Sequence, residues 1–140
     1  MPEGERHEFY QKLIEDLARK QKGPTFVPHI TVLGDILMEE EEVLMKSREL
    51  ARLHHPLSVI LNEVAAGAEF YRCVFVRAEK TPTLLRLYEH ACQVFEMTPG
   101  DFMPHLSILY GDYDTYPYLP MESRMRVKEL ISWITLCLQS

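Results

Sequence analysis

Apolar residues recur at helical spacing from Phe9 through Leu13 to Leu17, with Ile14 beside them and charges on the other side. The pattern predicts a helix over residues 3–21, ended by Gly23-Pro24. Val27 to Leu33, β-branched and apolar, predicts a strand. The acidic run Glu39 to Glu42 opens a second helix to about Leu53, its carboxylates complementing the positive end of the helix dipole. Pro56 marks its end. Leu57, Val59 and Leu61 alternate with their neighbours and predict a strand over 57–64, and a turn around Gly67 leads into a further strand, Phe70 to Arg77. Thr81-Pro82 pairs a capping hydroxyl with a first-turn proline. The apolar stripe Leu84, Leu85, Tyr88, Ala91, Cys92, Phe95 then predicts a helix to about residue 96, broken by Pro99-Gly100. Met103 to Tyr110 predicts another strand. A turn-rich loop over 113–120, a short helix over 121–128 and an apolar strand over 130–138 complete the chain.

The elements repeat, and so does one stretch of sequence. Residues 26–35 read FVPHITVLGD and residues 102–112 read FMPHLSILYGD. Each copy sets a histidine two residues before a hydroxyl inside an apolar run. Each half reads helix, Gly/Pro break, motif strand, helix, strand, with halves at about 1–66 and 67–140. The expected fold is α+β: one domain built as a two-lobed pseudo-twofold duplication. By the same symmetry one strand is expected before residue 3 and one after 138. The repeat alone therefore suggests a chain trimmed at both ends.

Composition narrows the function. A net charge of −6 argues against long nucleic acid as a partner, because Lys and Arg supply most of that affinity. No run approaches the ~18 apolar residues of a membrane helix, and Met1 to Arg6 is too polar for a signal peptide. The cysteines Cys73, Cys92 and Cys137 are scattered and odd in number, which suits buried thiols in a reducing cytosol better than zinc ligands.

On a strand, residues two apart share a face. His29 and Thr31 therefore point one way, as do His105 and Ser107, while Ile30, Val32, Leu106 and Ile108 point into a core. One His-x-Ser or His-x-Thr on an apolar strand is usually structural. Two copies change the balance, because a purely structural duplication has little reason to keep both histidines and both hydroxyls. Histidine titrates near neutral pH, so one ring can accept a proton while the other donates one. Such a pair can activate water on one side of a phosphorus and protonate a leaving oxygen on the other, with the hydroxyls donating to the phosphate oxygens. This chemistry requires no metal or other cofactor.

The H-I-T-V and H-L-S-I segments resemble the paired H-x-[T/S]-x signature of the two-histidine phosphoesterase superfamily. With C-V-F at 73–75 between them, the contexts FVPHITVLG and MPHLSILY look like the cyclic phosphodiesterases of plants and fungi, over nearly the whole chain. The resemblance implies two lobes, each an antiparallel sheet flanked by helices, around a central cleft. It also implies hydrolysis of cyclic phosphodiesters such as ADP-ribose 1″,2″-cyclic phosphate, or nucleoside 2′,3′-cyclic phosphates, in a side route of tRNA splicing. It implies His105 as general base and His29 as general acid, with Thr31, Ser107 and Tyr110 at the phosphate. The expected partner is a small cyclic nucleotide or ADP-ribose cyclic phosphate, with no long nucleic acid and no membrane, acted on by a cytoplasmic monomer. A relative acting on RNA ends as a 2′-5′ ligase or phosphodiesterase, and a catalytically silent nucleotide-binding domain, are the other readings.

Other residues draw attention. His54-His55 before Pro56 suit a solvated helix end better than a metal site. His7 and His90 are expected at an exposed or rim position on their helices. Phe70 or Tyr71 could stack on a nucleobase, and Arg72 could help hold a phosphate, though a surface charge suits it better. Asp35 and Asp112 suit turns, and Trp133 suits a core.

Overall fold

A computed structural model of the chain describes residues 3–69 and 72–111. The elements are α1 (Glu3–Gln21), α2 (Glu40–Leu53), β1 (Leu61–Glu69), β2 (Arg72–Ala78), α3 (Pro82–Val94) and β3 (His105–Leu109). They form an α+β structure with one described sheet, three-stranded in the order β1-β2-β3, whose β2–β3 pair is antiparallel. The chain divides into two compact units, and the division cuts across the sequence repeat. The first holds residues 1–30, 61–77 and 105–140; the second holds 31–60 and 78–104.

In the first unit α1 packs on β3. The stripe read from the sequence is the contact face: Leu13, Ile14 and Leu17, joined by Tyr10, meet Val64, Val74, Val76, Leu106 and Ile108 in one core. Ile14, Val76 and Ile108 are wholly buried. Each such side chain contributes about 1.5–3 kcal/mol of burial free energy. Leu109 also enters the core although it follows Ile108 directly. The ladder explains this. Phe75 pairs with Ser107 but Val74 pairs with Leu109, a bulge that lets two consecutive β3 residues face the same way.

The end of α1 is closed by backbone geometry. Lys22 takes a left-handed conformation (φ 55°), and the Gly23 N–H donates to the Ala18 carbonyl at 2.9 Å. This is the hydrogen bond that caps helices ending in a left-handed residue. A Cβ on Gly23 would lie 3.0 Å from the Tyr110 carbonyl oxygen, so glycine lets the chain pass close to the end of β3.

In the second unit α2 packs against α3. The acidic first turn of α2 is present, Glu40 to Glu42, and Glu39 caps through its backbone alone. Thr81 Oγ1 accepts from the Leu84 N–H at 3.3 Å, with Pro82 in the first turn of α3. Leu84, Ala91 and Cys92 form the buried face of α3. Its end repeats that of α1: Glu96 is left-handed (φ 54°) and the Met97 N–H donates to the Cys92 carbonyl at 2.8 Å. Lys46 of α2 donates to the exposed-end carbonyl of Val94 at 2.8 Å, a cation at the negative pole of α3.

Three sequence expectations are corrected. Val27 to Leu33 is not a continuous strand; Ile30 alone forms an isolated antiparallel bridge, to Leu106. Pro28 lacks the N–H a ladder needs there. Residues 57–60 alternate in burial as predicted, but they form no ladder before Leu61. Gly67 is not a turn; β1 runs through it to Glu69. Phe70 and Tyr71, Asp112, the 113–120 loop, the helix over 121–128, the strand over 130–138, Trp133 and Cys137 lie outside the described residues.

Candidate active site

The bridge Ile30↔Leu106 is antiparallel, so its register sets His29 opposite Ser107. Ile30 and Leu106 belong to the core side of the first unit. Their neighbours His29, His105 and Ser107 therefore share the other face. On this register His29 and His105 are diagonal neighbours, which in a regular ladder lie about 7–8 Å apart with their Cβ atoms somewhat closer. His29 is exposed, His105 half-buried and Ser107 buried at 6% exposure.

His29 is held by its own strand segment. Its Nδ1 lies 2.7 Å from the Val27 carbonyl oxygen. A carbonyl can only accept, so Nδ1 carries the proton and Nε2 is the nitrogen left to exchange one. The Phe26 ring stands edge-on to His29 at 6.4 Å and stacks face to face on Tyr110 at 3.6 Å and 15°. Gln11 of α1 donates to the Phe26 carbonyl at 3.3 Å, which ties this segment back to the helix. Tyr110, predicted at the phosphate, thus joins the end of the second motif to the start of the first.

His105 is held from β2. Across the ladder it pairs with Arg77, and Ser107 pairs with Phe75. The buried Phe75 ring meets the His105 ring edge-on at 5.3 Å, while the Arg77 guanidinium lies 5.7 Å from the Phe75 centroid. Phe75 and Arg77 were not singled out by sequence reasoning, because only the β2–β3 register reveals their place. Thr31, the remaining predicted residue, is exposed and opens the second unit. The bridge thus joins the two motif segments within the first unit, with His29 and Ser107 on neighbouring stretches of chain.

Other histidines and acids fall elsewhere. His54 is not merely solvated, and His90 is half-buried: the His54 Nε2 lies 2.8 Å from the His90 Nδ1, a hydrogen bond joining the end of α2 to α3. Among the described residues no three His, Cys, Asp or Glu side chains gather as a metal-binding group. His7 is exposed, and Asp35 takes a left-handed backbone conformation (φ 53°). Cys92 is a buried free thiol. No helix among the described residues is long and apolar enough to cross a membrane.

Comparison with known proteins agrees with the motifs. The model of the family described as cyclic phosphodiesterase-like protein matches residues 1–132. A cyclic phosphodiesterase of Arabidopsis thaliana is 30% identical over 113 residues, covering 80% of this chain and 62% of the relative. Proteins of Bacillus cytotoxicus and Bacillus anthracis whose names propose phosphoesterases are 27% identical over 132 residues, covering 86% of this chain and 76% of each relative. The chain belongs to the cyclic phosphodiesterase-like family, and it spans less than two thirds of the length of the plant member.

Proposed function

We propose that this chain is a metal-independent cyclic phosphodiesterase that opens nucleoside 2′,3′-cyclic phosphates or ADP-ribose 1″,2″-cyclic phosphate to a phosphomonoester. The observation that supports the reading is the Ile30↔Leu106 bridge, which joins the two motif segments one residue from each histidine. Family membership supports the reaction class.

In this reading the cyclic phosphate lies between the rings. His105 takes a proton from water as the water oxygen bonds to phosphorus. The opposite ring P–O bond breaks, and His29 gives its Nε2 proton to the leaving oxygen. The hydrogen bond from His29 Nδ1 to the Val27 carbonyl suits the acid role, because it keeps the ring's second proton in place while Nε2 exchanges. Ser107, Thr31 and Tyr110 donate to the non-bridging oxygens, where negative charge grows. The cyclic phosphates are supplied by tRNA splicing, and the compartment is the cytoplasm.

The test is turnover of both substrates in the presence of a chelator, with product isomers identified. The reading expects turnover that persists in EDTA, releasing the phosphomonoester with the other hydroxyl freed. A folded chain that binds a nucleoside 2′-phosphate but turns over neither substrate would show a silent binding domain instead.

A further inference from the structure

The second unit brings two histidines together nitrogen to nitrogen. His54 closes α2, His90 lies on α3, and the His54 Nε2 stands 2.8 Å from the His90 Nδ1. The ring centroids are 4.9 Å apart and the planes are tilted by 53°, so the rings meet through their nitrogens rather than face to face. Both side chains are half-buried. One ring donates an N–H here and the other offers a lone pair. The proton between them occupies a place that a metal ion can also take.

The spacing suits that exchange. Imidazole nitrogens bind Zn²⁺ through bonds of about 2.0–2.1 Å. Two such bonds meeting at an angle between a right angle and the tetrahedral one set their nitrogens about 2.8–3.4 Å apart. The observed 2.8 Å is the right-angle end of that range, the arrangement of adjacent ligands on square Cu²⁺ or Ni²⁺. To admit an ion, the donor ring moves its proton to its other nitrogen, and each ring turns to aim its lone pair at the ion. Neutral imidazole suits Zn²⁺, Ni²⁺ and Cu²⁺ rather than Mg²⁺ or Ca²⁺. Among the described residues no larger His, Cys, Asp or Glu group forms, so water fills the remaining positions.

The place of the pair in the fold gives such an ion an effect. None of the residues of α2 is buried. Near the middle of α2, Lys46 ties it to the end of α3 through the Val94 carbonyl. The histidine pair is a second tie, at the C-terminal end of α2. We propose that His54 and His90 form a two-histidine site for a divalent transition-metal ion of the Zn²⁺ and Cu²⁺ class, which staples the end of α2 to α3. The pair lies in the second unit, whereas His29 and His105 lie in the first, and it takes no part in the proposed reaction.

Calorimetric titration of the metal-free full chain with ZnCl₂, CuCl₂ and MgCl₂ tests the site, together with His54→Gln and His90→Asn. Each variant keeps an amide able to hydrogen-bond in place of the ring nitrogen and removes one imidazole ligand. The wild type should bind Cu²⁺ more tightly than Zn²⁺ and leave Mg²⁺ unbound. Either variant should weaken Zn²⁺ binding at least about tenfold, since even a group that only supports a ligand is worth about 10–100-fold in affinity. Zn²⁺ at a hundredfold excess over its dissociation constant should raise the wild-type Tm by roughly 5–15 °C and leave both variants nearly unmoved. No binding of Zn²⁺ or Cu²⁺ by the wild type overturns the site. So does affinity unchanged in both folded variants, or binding that His29→Ala abolishes while His54→Gln keeps it. If neither variant folds, paramagnetic resonance of the wild-type Cu²⁺ adduct decides. Two coordinated imidazole nitrogens support the site, and fewer than two overturn it.

Discussion

Tyr10 offers a stability test with a defined sign. Its ring sits in the core beneath β3 at 4% exposure, and its hydroxyl is buried with no hydrogen-bond partner among the described residues. An unpartnered buried hydroxyl costs about 1–3 kcal/mol, so Tyr10→Phe should stabilise the chain at pH 8 by about that much. The same burial pushes the Tyr10 hydroxyl up to about 12, partly offset by the charge of Arg6. Unfolded tyrosine titrates near 10, so between pH 10 and 12 the unfolded state holds fewer protons than the native one. The contribution of this group is full below pH 10 and is lost as pH rises toward 12. At pH 11 the loss is on the order of 1 kcal/mol, and phenylalanine escapes it. Urea unfolding of both proteins at pH 8 and pH 11 reads the difference directly. The variant's advantage should widen by on the order of 1 kcal/mol at the higher pH. A variant less stable at pH 8 would show that the hydroxyl holds a hydrogen bond. An advantage that does not grow with pH would refute the burial argument.

Ile14 is wholly buried against the sheet, so Ile14→Ala should cost about 2–5 kcal/mol, read as a lower urea midpoint. Thr81→Ala removes the cap of α3 and should cost about 0.5–2 kcal/mol, largely recovered by Thr81→Ser. The Phe26–Tyr110 stack should show a coupling of about 0.5–1.5 kcal/mol in a double-mutant cycle of stability; additive losses would mean that the rings do not support each other.

The helices were legible because their signals are local. The stripe through Leu13 and Leu17, the glutamates before α2 and Thr81-Pro82 each lie within one turn of the end they mark. β3 was also legible, since His105 to Leu109 sits within the predicted strand. The first motif segment was harder to place. FVPHITV has strand composition, but Pro28 has no N–H for a ladder, and the segment makes a single bridge to β3. β1 was misplaced because Leu57 and Val59 alternate without a ladder partner, while Ala65, Ala66 and Gly67 extend a strand with weak propensity of their own. The repeat identified His29, His105 and the hydroxyls, yet no sequence pattern reported who stands beside them. The bulge at Val74, the Arg77↔His105 pairing and the Phe75–His105 contact depend on register, a long-range property. The His54–His90 hydrogen bond joins residues on separate helices and escaped the sequence for the same reason.

The central claim is that His29 and His105 act as one unit on one phosphate. Its most direct test is kcat/KM on a cyclic phosphate substrate for His29→Ala, His105→Ala and the double variant, each shown to be folded. Each single loss should be about 10²–10⁴-fold, as expected for one proton transfer. The double variant should fall little below the weaker single, because removing either partner already disables the pair. Losses that multiply, or a single variant that keeps wild-type turnover, would contradict the shared site.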